Sequence, residues 1–218
     1  MRTGMVNTVL FDFDGTLINT NDVIIEAWQY TYSHYGRPEQ PVEYITKFFG
    51  EPLLITMARE FPEVNPAESA EVYRQRQREM APRLVSIFPG TEDLLKALKE
   101  RGYKTGIVTS RTRESTLSYL DMFGIAGYFD DIVTCDDTDK HKPDPEPALL
   151  GLAKLDAGPE ETVMIGDSLF DMKCAGGAGI RTVLVGWAVT GASEDMEDCR
   201  VDYTISEPME LMEILEGL

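Results

Sequence analysis

The sequence has few of the residues from which several common kinds of site are built. Only two histidines, His34 and His141, occur in 218 residues, so neither a histidine-based catalytic triad nor a histidine metal site is supported. The three cysteines, Cys135, Cys174 and Cys199, are odd in number and share no C-x-x-C spacing, which argues against a disulfide framework and a zinc site. The expected location is therefore the reducing cytoplasm.

Long apolar runs and basic residues are also scarce. No run of ~18 apolar residues occurs, and the first residues lack the layout of a signal peptide, so we expect no membrane span. The chain has 20 Lys and Arg against 38 Asp and Glu, a formal net charge of −18, which argues against nucleic acid or an anionic membrane as a partner. An anionic substrate would need local positive charge, so basic residues near a site become informative.

The order of the apolar patterns predicts the fold. The composition is globular, with 43% hydrophobic residues. From residue 104 onward, strand-like and helix-like segments alternate, which predicts right-handed crossovers and a doubly wound, mostly parallel sheet. Between residues 18 and 87 the pattern is helical. We therefore predict an α/β core domain, 1–17 and 88–218, with an inserted all-helical cap domain, 18–87.

Two carboxylates stand where the first predicted strand ends, in the stretch VLFDFDGTLINT. Asp12 and Asp14 follow a short apolar run and precede Gly15. Like charges this close together repel each other and call for a counter-ion or a reaction. Gly15 lets the chain turn so that both carboxylates face one point, and Thr16 can pin that turn through its hydroxyl.

Other polar residues follow the later strands. Thr109 and Ser110 end the strand at 104–110, and Lys142 lies in the loop after DIVTC. Asp167 ends the strand TVMIG, with Asp171 one helical turn later. Ligands of open α/β sheets bind outside the carboxyl ends of the strands, so we expect these side chains to lie together at one edge.

Phosphoryl transfer is the chemistry that fits this set. A carboxylate such as Asp12 can attack phosphorus and form an aspartyl-phosphate, which divides one hard displacement into two. Mg²⁺ takes oxygen ligands, which Asp12, Asp167 and a backbone carbonyl near Asp14 can supply. Lys142 adds positive charge and Thr109 a hydrogen bond to the transferring group. Asp14 is then available as general acid and base.

These motifs resemble those of the haloacid dehalogenase-like hydrolase superfamily along the whole chain. DFDGTL resembles its first motif, VTS its second, Lys142 in KHKPDPEP its third and GDSLFD its fourth. The resemblance implies that Asp12 is the nucleophile and Asp14 the acid/base, with Thr109 and Lys142 holding the phosphate. It also implies a small helical cap that closes over the site.

The same resemblance implies a Mg²⁺ site and a class of substrate. The metal ligands would be Asp12, the Asp14 carbonyl and Asp167, with Asp171 as a further carboxylate on the metal side that also orients Lys142. The substrate would be a small phosphorylated compound or pyrophosphate, and the protein a monomer or homodimer. DGTLINTN, DIVTCDD and KPDPEP most resemble the PpaX-type pyrophosphatases, relatives of the phosphoglycolate phosphatases.

Alternatives remain open within and outside this superfamily. Ser110 stands where phosphoglycolate phosphatases often have Asn. A phosphohexose mutase shares the D-x-D motif and the phospho-aspartate, whereas dehalogenases lack an equivalent of Asp14 and phosphonatases have a different first motif. A phospho-aspartate receiver module is a different class. It would span ~120 residues without a cap, and its phospho-accepting residue would not end the first strand.

Substrate discrimination is expected from the cap or from the loop that carries Ser110. In the stretch KFFGEPLL, Gly50 and Pro52 imply a turn that could face the core site. Lys47, the one lysine of the cap, could pair with an anionic leaving group, or it could be a surface lysine beside two phenylalanines. Three arginines of a later cap helix are predicted to form a solvated face: Arg74, Arg76 and Arg78.

Overall fold

The computed structural model describes residues 5–188 and 199–218. The described strands are β1 (Thr8–Phe11), β2 (Ile18–Asn19), β3 (Ser86–Ile87), β4 (Lys104–Val108), β5 (Asp131–Val133), β6 (Thr162–Gly166), β7 (Arg181–Val185) and β8 (Tyr203–Ile205). Six of them form one parallel sheet in the order β5-β4-β1-β6-β7-β8. The change of direction on either side of β1 is the doubly wound arrangement that the sequence predicts.

Helices connect these strands and build the segment between β2 and β3. The described helices are α1 (Asn21–His34), α2 (Val42–Ile45), α3 (Leu53–Glu60), α4 (Pro66–Leu84), α5 (Thr91–Glu100), α6 (Arg113–Met122), α7 (Glu146–Leu155), α8 (Leu169–Gly177) and α9 (Glu210–Glu216). Within the described part of the chain, no helix has both the length and the apolarity needed to cross a membrane.

The two faces of the sheet are buried by different helices. In β1, Val9 and Phe11 belong to a hydrophobic cluster with residues of α5, α6 and α9. Leu10, which points to the other face, packs with residues of α7 and α8. Because β1 is covered on both sides, its apolar run is continuous rather than alternating, as is typical of parallel strands. The α/β fold class is thus confirmed.

Residues 20–85 are helical and contain no strand. They have an aromatic cluster of their own, in which the ring of Trp28 lies 6.0 Å from Tyr32, 5.2 Å from Phe48 and 5.3 Å from Tyr73 between centroids. The chain enters and leaves this segment through an antiparallel ribbon formed by β2 and β3. The sequence does not predict this two-residue ribbon. Our division into a core and a cap remains an interpretation of this arrangement.

Two local features differ from the sequence-based expectation. Strand β8 is only three residues long, too short to show an alternating pattern, yet it pairs with β7 at the sheet edge. Threonine is a preferred capping residue, so the sequence favours Thr91 as the cap of α5. In the structure Thr91 is the first helical residue, and Gly90 occupies the capping position with φ of 83°. A positive φ favours glycine, which explains why Gly90 stands there.

Candidate active site

The carboxyl ends of the strands open into a cavity of about 530 Å³ between the sheet edge and the helical segment. It is lined by eight of the residues singled out from the sequence: Asp12, Asp14, Gly15, Thr109, Ser110, Lys142, Asp167 and Asp171. Thr16 and Lys47 are not among the lining residues. Thr16 is buried behind Asp12, and Lys47 is exposed. The sequence thus predicts where the core side of the site lies.

Asp12 is fixed at the centre of this edge. Its backbone N–H donates to the carbonyl of Ile165 at 2.8 Å, which extends the pairing between β1 and β6 by one residue. The residue is 6% exposed. It accepts from Lys142 Nζ at 2.6 Å and, at 3.4 Å, from the Thr16 hydroxyl. Burial, together with the charge of Asp171, raises the pKa of Asp12 to about 7 against the lowering effect of Lys142.

Lys142 lies between two carboxylates. Its Nζ donates to Asp171 Oδ1 at 2.6 Å as well as to Asp12. Burial lowers its pKa, but the charges of Asp12 and Asp171 outweigh that effect and the pKa stays above its usual range. Asp171 is in turn held by the backbone N–H of Ser168 at 3.1 Å and by its hydroxyl at 2.5 Å, within a capping box that begins α8.

Asp14 has a partner that the sequence does not predict. Arg111 donates two hydrogen bonds to its carboxylate, at 2.9 Å and 2.7 Å. The guanidinium also donates to Ser115 Oγ at 2.6 Å and lies 4.5 Å from the ring centroid of Tyr119. A bidentate pair of this kind stabilises the ionised carboxylate and fixes its orientation. The sequence does contain a signal for this contact, because Arg111 directly follows the VTS motif at a strand end and therefore lies near the site.

The backbone positions Thr109 in this site and constrains which side chain position 15 can carry. Thr109 follows β4 and its N–H donates to the Val133 carbonyl at 2.9 Å, while its hydroxyl oxygen accepts from the Arg111 N–H at 3.2 Å. The hydroxyl proton can therefore be donated to a ligand. Gly15 has φ of 80°, and a Cβ there would clash with the Asp167 carboxylate. Both constraints require glycine.

An acidic cluster in the cavity has the donor set of a divalent-metal site. Carboxylate oxygens of Asp12, Asp167 and Asp171 lie within 4.8 Å of one another, and all three residues are buried. Hard divalent cations prefer oxygen ligands of this kind. Asp171 already accepts hydrogen bonds on both oxygens, from Lys142 and Ser168. Asp12 and Asp167 are therefore the better candidates for direct ligands, and Asp171 is the better candidate for holding Lys142.

The helical segment lines the opposite wall with few polar side chains. Glu51 is among them, and Arg59 donates to both of its oxygens at 2.7 Å. Arg74 and Gln77 reach the cavity from α4. The predicted arginine face is therefore not uniform, because Arg74 is half-buried and lines the cavity. The other two arginines of that face form ion pairs: Arg76 with Glu26 and Arg78 with Glu71.

Fold and site together define a doubly wound α/β protein with catalytic-type carboxylates at the carboxyl edge of its sheet. Comparison with known families agrees with this class, because the model of the haloacid dehalogenase-like hydrolases matches residues 9–185. The chain belongs to this family, as the motifs predict. Among curated proteins, a pyrophosphatase PpaX of Bacillus pumilus is 38% identical over 215 residues, covering 99% of each chain.

Solved structures show the same fold over nearly the whole chain. A Lactobacillus plantarum protein assigned as a phosphoglycolate phosphatase has a TM-score of 0.84 at 25% identity and covers 97% of this chain and 100% of its own. CbbY of Rhodobacter sphaeroides, solved in complex with phosphate, has a TM-score of 0.83 at 25% identity, with coverage of 95% and 96%. These findings confirm the prediction of an enzyme, a hydrolase of the phosphatase class.

Proposed function

We propose that this protein is a Mg²⁺-dependent phosphatase that hydrolyses pyrophosphate or a small phosphate ester through an aspartyl-phosphate on Asp12. The observation that carries the proposal is the contact of Lys142 with Asp12, at 2.6 Å, at the floor of a cavity that also holds Asp14. A buried nucleophile beside a buried cation, next to a second carboxylate, is the arrangement that covalent phosphoryl transfer needs.

The reaction can be written on these residues alone. An Asp12 oxygen attacks phosphorus, the bond from phosphorus to the leaving oxygen breaks, and Asp14 gives its proton to that oxygen. A water molecule then attacks the same phosphorus and gives a proton to Asp14, and the bond between phosphorus and Asp12 breaks. The products are inorganic phosphate and the dephosphorylated leaving group, and both carboxyl groups are restored.

Several groups assist the transfer without forming bonds to phosphorus. Lys142 and the Thr109 hydroxyl would hold the phosphate oxygens, and Asp171 orients Lys142. Bound Mg²⁺, held by Asp12, Asp167 and the Asp14 carbonyl, would supply positive charge for the phosphate. Arg111 holds the Asp14 carboxylate through two hydrogen bonds, so Asp14 must leave this ion pair when it carries the proton.

The substrate class rests on the relatives and on the size of the cavity. The Bacillus pumilus relative is named for pyrophosphate, the Lactobacillus plantarum neighbour for phosphoglycolate, and CbbY binds phosphate. Pyrophosphate and phosphoglycolate each present a phosphate and a small leaving group, which a cavity of about 530 Å³ can enclose. We therefore place pyrophosphate and small phosphorylated acids first among the candidate substrates.

A substrate panel with a metal control tests the proposal. Phosphate release is measured from pyrophosphate, phosphoglycolate, hexose phosphates and p-nitrophenyl phosphate, with Mg²⁺ and with excess chelator. We expect turnover that chelator abolishes and excess Mg²⁺ restores. Asp14→Asn should slow turnover yet trap phosphate on Asp12 with p-nitrophenyl phosphate, read by intact mass. Rates that chelator does not change, or a wild-type protein that is inactive on all four substrates, would refute the proposal.

A further inference from the structure

On the cap wall of the cavity, one cation, Arg74, has no ion-pair partner among the residues that the structure describes. Arg74 and Gln77 are three residues apart on α4, so they lie on the same side of the helix, and both line the cavity. Gln77 is buried and its Nε2 donates to the Tyr73 hydroxyl at 3.0 Å. Tyr73 is also buried and packs against Trp28 of α1, and this packing fixes the helix face from which Arg74 projects.

The balance of charge in the cavity sets Arg74 apart. Among the described residues, the lysine and arginine side chains that line it are Arg74, Arg111 and Lys142. Lys142 is neutralised by two aspartates and Arg111 by Asp14. Arg74 forms no ion pair or hydrogen bond with any residue that the structure describes. An unpaired guanidinium at a partly enclosed cavity is a preformed receptor for phosphate or carboxylate.

The neighbouring arginines of α4 form ion pairs, whereas Arg83, exposed in the last turn, resembles Arg74 in forming none with a described residue but does not line the cavity. Arg76 pairs with Glu26, and Arg78 pairs with Glu71 on the exposed side. Carboxylates are abundant in a chain of net charge −18, yet Arg74 pairs with no described carboxylate. The positive charge of Arg74 is therefore available to a ligand in the cavity.

Arg74 also acts across the cavity on the core. Cys135 lies in the loop after β5 and lines the cavity. Burial raises the pKa of the Cys135 thiol to about 11, while the positive charge of Arg74 works in the opposite direction. The guanidinium is therefore within electrostatic range of a core loop that lines the same cavity.

We propose that Arg74 binds the anionic part of the leaving group, which is the second phosphate of pyrophosphate or the carboxylate of a phosphorylated acid. The inference rests on the proposed function, and it assigns the substrate specificity of the proposed phosphatase to one residue of the cap. Lys142 and Thr109 would hold the transferring phosphate, which all substrates share. Lys47, which the sequence suggests for this role, is exposed and does not line the cavity.

Kinetics on paired substrates tests this assignment. Arg74→Gln removes a charged hydrogen-bond donor, so it should lower kcat/KM for pyrophosphate about 10- to 100-fold. This loss should be at least about ten times larger than the loss for p-nitrophenyl phosphate. Arg74→Lys keeps the charge and should recover part of the loss. Arg78→Gln, on the exposed side of α4, is the matched control and should change neither value. Equal losses on both substrates would show a merely structural role and overturn the assignment.

A binding measurement keeps the assignment separate from the proposed function. Methylenediphosphonate and methylphosphonate cannot be hydrolysed and differ by the second anionic group. Titrated calorimetrically with Mg²⁺, methylenediphosphonate should bind Arg74→Gln about tenfold or more weakly than wild type, and methylphosphonate about equally. This result would support the Arg74 assignment even if the wild-type chain hydrolysed no substrate of the panel. Unchanged diphosphonate affinity would overturn it even in an active phosphatase.

Discussion

The core wall and the cap wall of the cavity are built on different principles. On the core side, buried charges contact one another directly: Lys142 touches Asp12 and Asp171, and Arg111 touches Asp14. On the cap side, aromatic packing around Trp28 supports a wall whose charged side chains, among the described residues, are Glu51 and Arg74, and Arg74 pairs with no described residue. The basic side chains of the core wall are already paired with carboxylates, whereas the cap wall has a positive charge that no described carboxylate pairs with.

This difference indicates a division of labour. Changes in the core network should affect every substrate alike, because all of them present the same phosphate to it. Changes in the cap wall should affect substrates according to their leaving groups. The ratio of kcat/KM between pyrophosphate and p-nitrophenyl phosphate measures this distinction, since it is insensitive to uniform losses.

The largest effect is expected for Asp12→Asn. The amide cannot attack phosphorus, so turnover should fall by about 10⁴-fold or more on every substrate. Asparagine has nearly the same shape, and Lys142 keeps its contact with Asp171, so the thermal midpoint should stay close to that of the wild type. Asp22→Asn, an exposed position in the first turn of α1, is the control and should retain full activity. An active Asp12→Asn variant would refute the covalent mechanism.

A smaller but still uniform effect is expected for Asp171→Asn. The substitution removes the charge that aligns Lys142, so kcat should fall about 10- to 100-fold with an unchanged substrate ratio. If Asp171 acts through Lys142, the same substitution in a Lys142→Gln background should add no more than about threefold. Independent, multiplying losses would show that Asp171 has a separate role.

The contrast between the two walls also explains which parts of the site can be predicted from the sequence alone. Asp12, Asp14 and Asp167 closely follow strands, and parallel strands bring their ends to one edge whatever the detailed packing. The placement of these three aspartates therefore follows from short local motifs. Lys142 and Asp171 lie further along, in the loop after β5 and in the first turn of α8. The roles of Arg74 and Arg111 depend on which way a helix face or a loop side chain turns, and this is decided by tertiary contacts that no local pattern encodes.

The same reasoning applies to the fold. Alternating strands and helices predict the doubly wound sheet, because each long strand carries its own apolar signal. The ribbon of β2 and β3 and the edge strand β8 are two and three residues long, and such short strands are defined by their partners rather than by their own residues. Gly90 shows a similar limit, since the positive φ that begins α5 is not visible in the residues around it.

The smallest effects are expected in the loop between α2 and α3, where two charged residues differ in position. Glu51 lines the cavity and binds Arg59 through both of its oxygens, whereas Lys47 is exposed outside it. Glu51→Ala removes a negative charge from the wall and releases Arg59, and both changes favour an anionic leaving group. We expect the ratio of kcat/KM for pyrophosphate over p-nitrophenyl phosphate to rise about threefold.

Lys47→Ala is the matched comparison for Glu51→Ala, because it alters a charge in the same loop away from the cavity wall. We expect its substrate ratio to stay within about twofold of the wild-type value, since an exposed charge is screened by water and salt. Both variants are assayed at low and high salt, because a direct contact with the leaving group would resist salt more than a long-range effect. If Lys47→Ala lowered the preference for pyrophosphate more than Glu51→Ala raised it, Lys47 would contact the leaving group in turnover. The cap loop would then have to move from the position in this structure, and specificity would depend on that movement rather than on the wall as it stands.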